Sequence, residues 1–365
     1  MRFIKTVGPR EADGLLGQVY GEIRRDFGLL RDPDGNSPFL AHSPHPELLA
    51  GVWSVLYETV LVEGAVRRAD KEAIGATVSR INDCPFCVEA HALLSGVAGE
   101  AEDRGAPANG AANGIADQRR RELVAWAAAT REPHSELVRG PPFDEKEAPE
   151  VIGTAFAFHY VNRVVEIFQG HRPMQVGPAP LRGVTMSLVG AIAGRALRRG
   201  REPGRTLRLL PESDLPDDLG WTRPAPAIAS AMARFAAAVE RAGECALSNP
   251  ERARVTSALA AWEGADPPLH GDWLERALHG LQPDARDKAR LAVLAALDPY
   301  RVDEATVQSF KHVRPSDADL VGAVAWSALS AARRVASWLA PPALATERSG
   351  ISLGAGTPAP AAGRR

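Results

Sequence analysis

Cysteine is almost absent from this chain: three residues in 365. An odd number at uneven spacing excludes the disulfide framework of a small secreted domain. Charge of one sign is also missing, since 43 lysines and arginines face 45 acids for a formal net charge of -2. That balance excludes a basic footprint for nucleic acid and a polybasic membrane patch. The cluster Arg198-Arg199-Gly200-Arg201 is short and reads as a solvated helix end. Long apolar runs are lacking too: the most apolar, Val184 to Leu197, contains Gly190 and Gly194 and is too short to span a bilayer. Met1-Arg2-Phe3-Ile4-Lys5 runs at once into polar residues, unlike a signal peptide. The expectation is a soluble cytoplasmic protein with no nucleic-acid or membrane partner.

Strand signals are scarce as well, because alternating runs of valine, isoleucine and threonine barely occur. Alanine, leucine, arginine and glutamate dominate, with apolar positions recurring at three and four, so the chain reads as all-α. Leu48, Leu49, Val52, Trp53, Leu56 and Val60 form a helical stripe after Pro46. Further helices are expected from about Ala69 to Ile81, from Cys84-Pro85 onward, over Asp117 to Ala129, and over Ala148 to Phe168. Glycine, alanine, proline and asparagine at 105–114 predict a loop. The proline- and glycine-rich connection at 171–226 holds one expected helix, Leu181 to Arg199. Helices are then expected over Ala227 to Ser248, Glu251 to Gly264, His270 to Gly280, Ala285 to Leu297 and Ala318 to Leu339, and a disordered tail over 341–365.

The second half echoes the first. Leu281-Gln282-Pro283-Asp284-Ala285-Arg286-Asp287-Lys288 precedes an apolar helix, as Val66-Arg67-Arg68-Ala69-Asp70-Lys71 does. Asp298-Pro299-Tyr300-Arg301-Val302-Asp303 follows it, as Cys84-Pro85-Phe86-Cys87-Val88-Glu89 follows the earlier one. Trp273 matches Trp53, and the helix from Val321-Gly322 to Trp338 matches that from Ile152-Gly153 to Phe168. The chain is therefore expected to hold two tandem units, 1–170 and 227–340, the second degenerate because it has no counterpart of Cys84, Cys87 or His91.

Two of the three cysteines sit three residues apart in Cys84-Pro85-Phe86-Cys87, with His91 four residues beyond. With Cys84 at a helix cap and Pro85 first in the helix, Cys87 falls in the first turn, where unpaired amides and the helix dipole favour a thiolate. His91 lies one turn further on the same face, able to take the Cys87 proton. Glu72, on the preceding helix, could orient His91. Three readings compete: a redox dithiol, a metal half-site completed by His91 with Glu72 or Glu89, and inert buried thiols. No second cysteine pair and no matching histidine pair supports the metal reading.

Glu72, eleven residues, Cys84, two residues, Cys87, three residues, His91 resembles the active-site pattern of AhpD-like alkylhydroperoxidases, within the carboxymuconolactone decarboxylase-like superfamily. Ser79 and Asn82 also match residues frequent in that family, and the specific resemblance covers about Ala50 to Leu94. It implies an all-helical AhpD-like fold, homo-oligomerisation, no cofactor and no metal. It implies that Cys87 attacks a peroxide, Cys84 resolves the sulfenic acid, and Glu72 with His91 relays protons. The disulfide would be reduced by a dithiol protein, lipoyl-bearing or thioredoxin-like. One position departs: Phe86 stands where well-studied members carry histidine. The rival reading is a non-enzymatic redox-responsive scaffold with a reversible Cys84–Cys87 disulfide.

Other residues divide between packing and function. His159 and Asn162, in Phe158-His159-Tyr160-Val161-Asn162-Arg163, read as a buried hydrogen-bond network or interface, with a wall of the dithiol pocket as the alternative, and Phe86 as a further pocket candidate. His42 and His45, among prolines, read as a surface turn. Cys245 reads as an ordinary buried cysteine, and Trp53 and Trp126 as core.

Overall fold

A computed structural model of the protein describes residues 1–27, 37–98, 117–173 and 200–340. Among these residues every regular element is helical and no strand occurs, as the composition led us to expect. The first half runs α1 (Gly14–Phe27), α2 (Pro46–Leu56), α3 (Arg68–Ile81), α4 (Pro85–Ala98), α5 (Gln118–Ala128), the single turn α6 (Glu136–Arg139) and α7 (Ala148–Gln169). The second runs α8 (Pro226–Ala246), α9 (Asn249–Ala260), α10 (Trp273–Ala277), α11 (Pro283–Leu297), α12 (Glu304–Val313) and α13 (Asp317–Leu339).

Most expected helices appear within a few residues of their sequence signals. Helices α1, α6 and α12 have no counterpart among the expected ones. The last has few apolar anchors, with Val307 and Phe310 its only buried hydrophobic residues. The connection shows two short 3-10 turns, Arg205–Leu209 and Asp217–Thr222. The helix expected at 181–199, the loop at 105–114 and the tail at 341–365 lie outside the described residues.

One apolar core runs through both halves, from Leu16 to Leu339. Helix α2 packs on α8 and α7 packs on α13, so the two longest helices among the described residues lie against each other. These contacts are close because small residues line them. A Cβ on Gly322 would lie 2.9 Å from the Ala242 carbonyl oxygen, so α8 and α13 approach backbone to backbone. On the other side of α7, a Cβ on Gly75 would come within 2.4 Å of the Phe158 ring. That glycine lets α3 settle on α7, which places the α3–α4 turn over the middle of α7.

Candidate active site

The turn between α3 and α4 is built as a helix C-cap. Asn82 ends α3, Asp83 takes a left-handed conformation at φ 46°, and two backbone bonds close the motif. The Cys84 amide donates to Ser79 O at 2.8 Å and the Asp83 amide to Arg80 O at 3.0 Å, the paired bonds of a Schellman cap. Aspartate tolerates the left-handed region that glycine usually fills there. The Cys84 carbonyl then accepts the Val88 amide at 3.0 Å and opens α4, with Pro85 as its first residue. Cys84 thus belongs to the cap of one helix and the start of the next.

This arrangement brings the sulfurs together. The Cys84 thiol donates to Cys87 Sγ at 2.8 Å, and both cysteines are free thiols. They are nearly closed off, at 1 % and 3 % exposure, packed with Val165 and the partly buried Phe86 and Val161. Burial pushes the Cys84 thiol well up, and its bond to Cys87 pushes the same way; the Cys87 amide only partly offsets them.

Across the α3–α4 interface, His91 Nδ1 lies 2.7 Å from Glu72 Oε2. Glu72 is fully buried, and its other oxygen accepts from Arg68 Nε at 3.1 Å and from a terminal guanidinium nitrogen at 2.9 Å. Burial would raise this carboxyl, but Arg68 and then His91 outweigh it and hold it below its usual range. The imidazole is partly exposed, at 18 %, and stands edge-on to the Phe158 ring at 4.4 Å between centroids. Among the described residues no hydrogen bond joins His91 to Cys87. The expected quartet of Glu72, Cys84, Cys87 and His91 thus resolves into two adjoining pairs, a carboxylate–imidazole pair and a dithiol, carried on the same two helices.

Beneath the turn, α7 presents a polar stripe at helical spacing: His159, Asn162, Arg163 and Glu166. Asn82 donates through Nδ2 to His159 Nδ1 at 3.1 Å and to Asn162 Oδ1 at 3.0 Å. Asn162 in turn donates to Ser79 Oγ at 3.0 Å. The Thr130 hydroxyl spends its proton on Ala127 O at 2.9 Å, so it accepts from His159 Nε2 at 3.0 Å. These partners assign a neutral imidazole protonated on Nε2. Burial, then the Arg163 and Arg131 charges, hold its pKa well below the usual range. His159 and Asn162 are thus buried and hydrogen-bonded, both to the Ser79–Asn82 segment that leads into Cys84 and His159 also to Thr130.

The second half also reaches this turn. The Tyr300 hydroxyl donates to Asn82 O, and Arg131 links Ile81 O at 3.0 Å to Gly264 O at 2.8 Å. Arg163 donates to Ala296 O at 2.8 Å and to His159 O at 2.6 Å. Arg68, Thr130, Glu166 and Tyr300 escaped sequence reasoning. Glu166 alone left a trace, continuing the spacing of His159 and Asn162 by one more turn.

Two expectations are corrected. His42 is in the predicted turn but buried, because its Nε2 meets the Tyr160 hydroxyl at 2.7 Å. Cys245 is exposed, since it falls off the stripe of Val239, Ala242 and Ala246 that α8 buries. Among the described residues no group of three or more histidine, cysteine or acidic side chains could hold a metal ion. None of the described helices is long and apolar enough to cross a membrane.

Fold and site together define an all-helical protein organised around a buried vicinal dithiol beside a carboxylate–imidazole pair. No family model matches the chain. It is 35% identical over 338 residues to a Mycobacterium tuberculosis protein named alkyl hydroperoxide reductase, a match covering 92% of this chain and 94% of the relative. The chain belongs to the AhpD-like alkylhydroperoxidase family.

Proposed function

We propose that this protein is a thiol-dependent peroxidase of the alkylhydroperoxidase kind. The Cys87 thiolate attacks the terminal oxygen of a hydroperoxide; the O–O bond breaks, an alcohol leaves, and Cys87 becomes a sulfenic acid. Cys84 then attacks that sulfur, forming the disulfide and releasing water. An external dithiol, carried by a lipoyl-bearing or thioredoxin-like protein, returns both thiols and becomes a disulfide itself. Glu72 holds His91 in one orientation, and His91 passes protons at the first step directly or through one water. The single observation behind this reading is the Cys84 thiol donating to Cys87 Sγ beside the Glu72–His91 pair. The name of the mycobacterial relative points the same way.

The test is peroxide consumption with a dithiol reductant, with mass spectrometry of the peptide spanning 81–100. Cys87→Ser should abolish turnover, and the parent chain should gain a Cys84–Cys87 disulfide. Both thiols remaining free under excess peroxide would remove the reading. The burial of both sulfurs favours a second one, a redox-responsive scaffold. It predicts a reversible disulfide with no catalytic consumption of peroxide under any dithiol.

We further infer that residues 217–339 are a degenerate copy of the dithiol half. Both begin with a 3-10 turn and a proline-led helix, Pro38–His42 with α2 and Asp217–Thr222 with α8. Both end with a long buried helix of 22 or 23 residues. This pairing sets α8 opposite α2 and removes Trp273, which opens the short α10, as the match for Trp53. One chain would then supply the contact that single-unit members make between copies, with homo-oligomerisation adding to it.

A further inference from the structure

When the disulfide closes, the Cys84 proton must leave a buried sulfur, and His91 makes no hydrogen bond to it. A different group lies on that side of the dithiol. Val165 packs in one apolar cluster with Cys84 and Cys87, and the next residue, Glu166, is itself 5 % exposed. Its Oε2 has no hydrogen-bond partner; His171 Nδ1 stands 3.6 Å away, too far for a hydrogen bond. A buried carboxylate oxygen left without a partner costs stability and calls for an explanation. Glu166 acts electrostatically on the Cys84 thiol, while His171 is half exposed and stands edge-on to Tyr300 with centroids 6.0 Å apart.

We propose that Glu166 accepts the Cys84 proton, directly or through one water, as the disulfide closes, and returns it as the disulfide opens, with His171 as its link to solvent. In balance, Cys84–SH attacks the electrophilic Cys87 sulfur, the S–S bond forms, and the leaving group departs as an anion. The proton passes to Glu166 and on through His171 to the leaving group or solvent. Burial raises Glu166 above the ordinary carboxylate range and His171 partly offsets this, which brings the group nearer the pH at which it must exchange a proton. The charged and titratable groups facing it are His171 at the end of α7, Asp83 in the α3–α4 turn, Arg2 from the N-terminus, and Tyr300 with Cys84.

The proposal rests on the dithiol reading but not on peroxide being the oxidant, and the experiment exploits that. The full chain carrying Cys245→Ser is treated with one equivalent of 2,2′-dithiodipyridine. Cys87 first releases one pyridine-2-thione and keeps a mixed disulfide; Cys84 then displaces the second thione, whose absorbance times the closure. With Glu166 intact, the closure rate should rise with pH through an inflection between the carboxylate range and neutrality. Glu166→Gln should slow closure roughly tenfold or more and abolish that inflection, while the first release is unchanged. Glu166→Asp should restore the inflection, which a merely structural role would not produce. Equal rates and profiles in Glu166→Gln and the parent would overturn the proposal alone. A parent that never releases the second thione would overturn the dithiol reading together with it.

Discussion

Helices α7 and α13 lie against each other, 22 and 23 residues long, each buried along most of its length. Their chemistry differs. In α13 the only buried polar side chain is Ser327, which bonds back to Ala323 O at 2.8 Å on its own helix. Alanines, valines, leucines, Gly322 and Trp326 fill the rest of that face. In α7, His159, Asn162, Arg163 and Glu166 are all buried; His159 and Asn162 bond to the dithiol turn, and Arg163 to Ala296 O on α11 and to His159 O. Central helix packing evidently needs none of these groups, since α13 does without them. His159 and Asn162 hold Ser79 and Asn82 in the turn above them, on the approach to Cys84.

The comparison breaks most sharply if His159 is made apolar. His159→Leu gives α7 the character of α13 but leaves Thr130 and Asn82 each short of a partner. Unfolding in denaturant should lose about 2–4 kcal/mol, and closure of the Cys84–Cys87 disulfide should slow. A variant as stable as the parent would mean that the stripe is dispensable.

Acidification gives the next largest effect. His159 is held neutral in the fold, and burial lowers His42 to about 3, whereas unfolded histidine titrates near 6.5. The unfolded chain therefore takes up protons that the fold refuses, and stability falls as pH drops below about 6.5. Each ring contributes roughly 1.4 kcal/mol per pH unit at full slope. Glu58, pushed up to about 6 by burial, acts in the opposite sense between that pH and its unfolded value. The decisive quantity is the difference between chains: His159→Leu should flatten the pH dependence of the denaturation midpoint by about one histidine's slope.

The smallest effect concerns the tie between the halves. Tyr300→Phe removes the hydroxyl that donates to Asn82 O. Because Tyr300 is 41 % exposed, water can replace that bond, and the loss should be about 0.5–1.5 kcal/mol. Hydrogen exchange should show it as faster opening at the α3–α4 turn, with α9 and α11 unchanged.

Much of this was legible in the sequence because helical burial leaves a period. Leu48, Leu49, Val52 and Leu56 marked α2, and Pro85 marked the start of α4. Spacing also pointed to Glu72, Cys84, Cys87 and His91, since they lie on two consecutive helices and the turn between them. What failed to show was tertiary. Nothing local reveals that Tyr160 buries His42, or that Tyr300 reaches a carbonyl 218 residues away. The Schellman cap was hidden because Asp83 occupies the position where glycine would have announced it.

That cap has a consequence for motion. The amide and the carbonyl of Cys84 are each committed to a different helix, so its backbone cannot swing without undoing both. With the sulfurs already in contact, making or breaking their bond asks only for rotation about side-chain torsions. Oxidised and reduced chains should share one backbone, and any message about redox state must leave the site through protons and side chains instead of a moving loop.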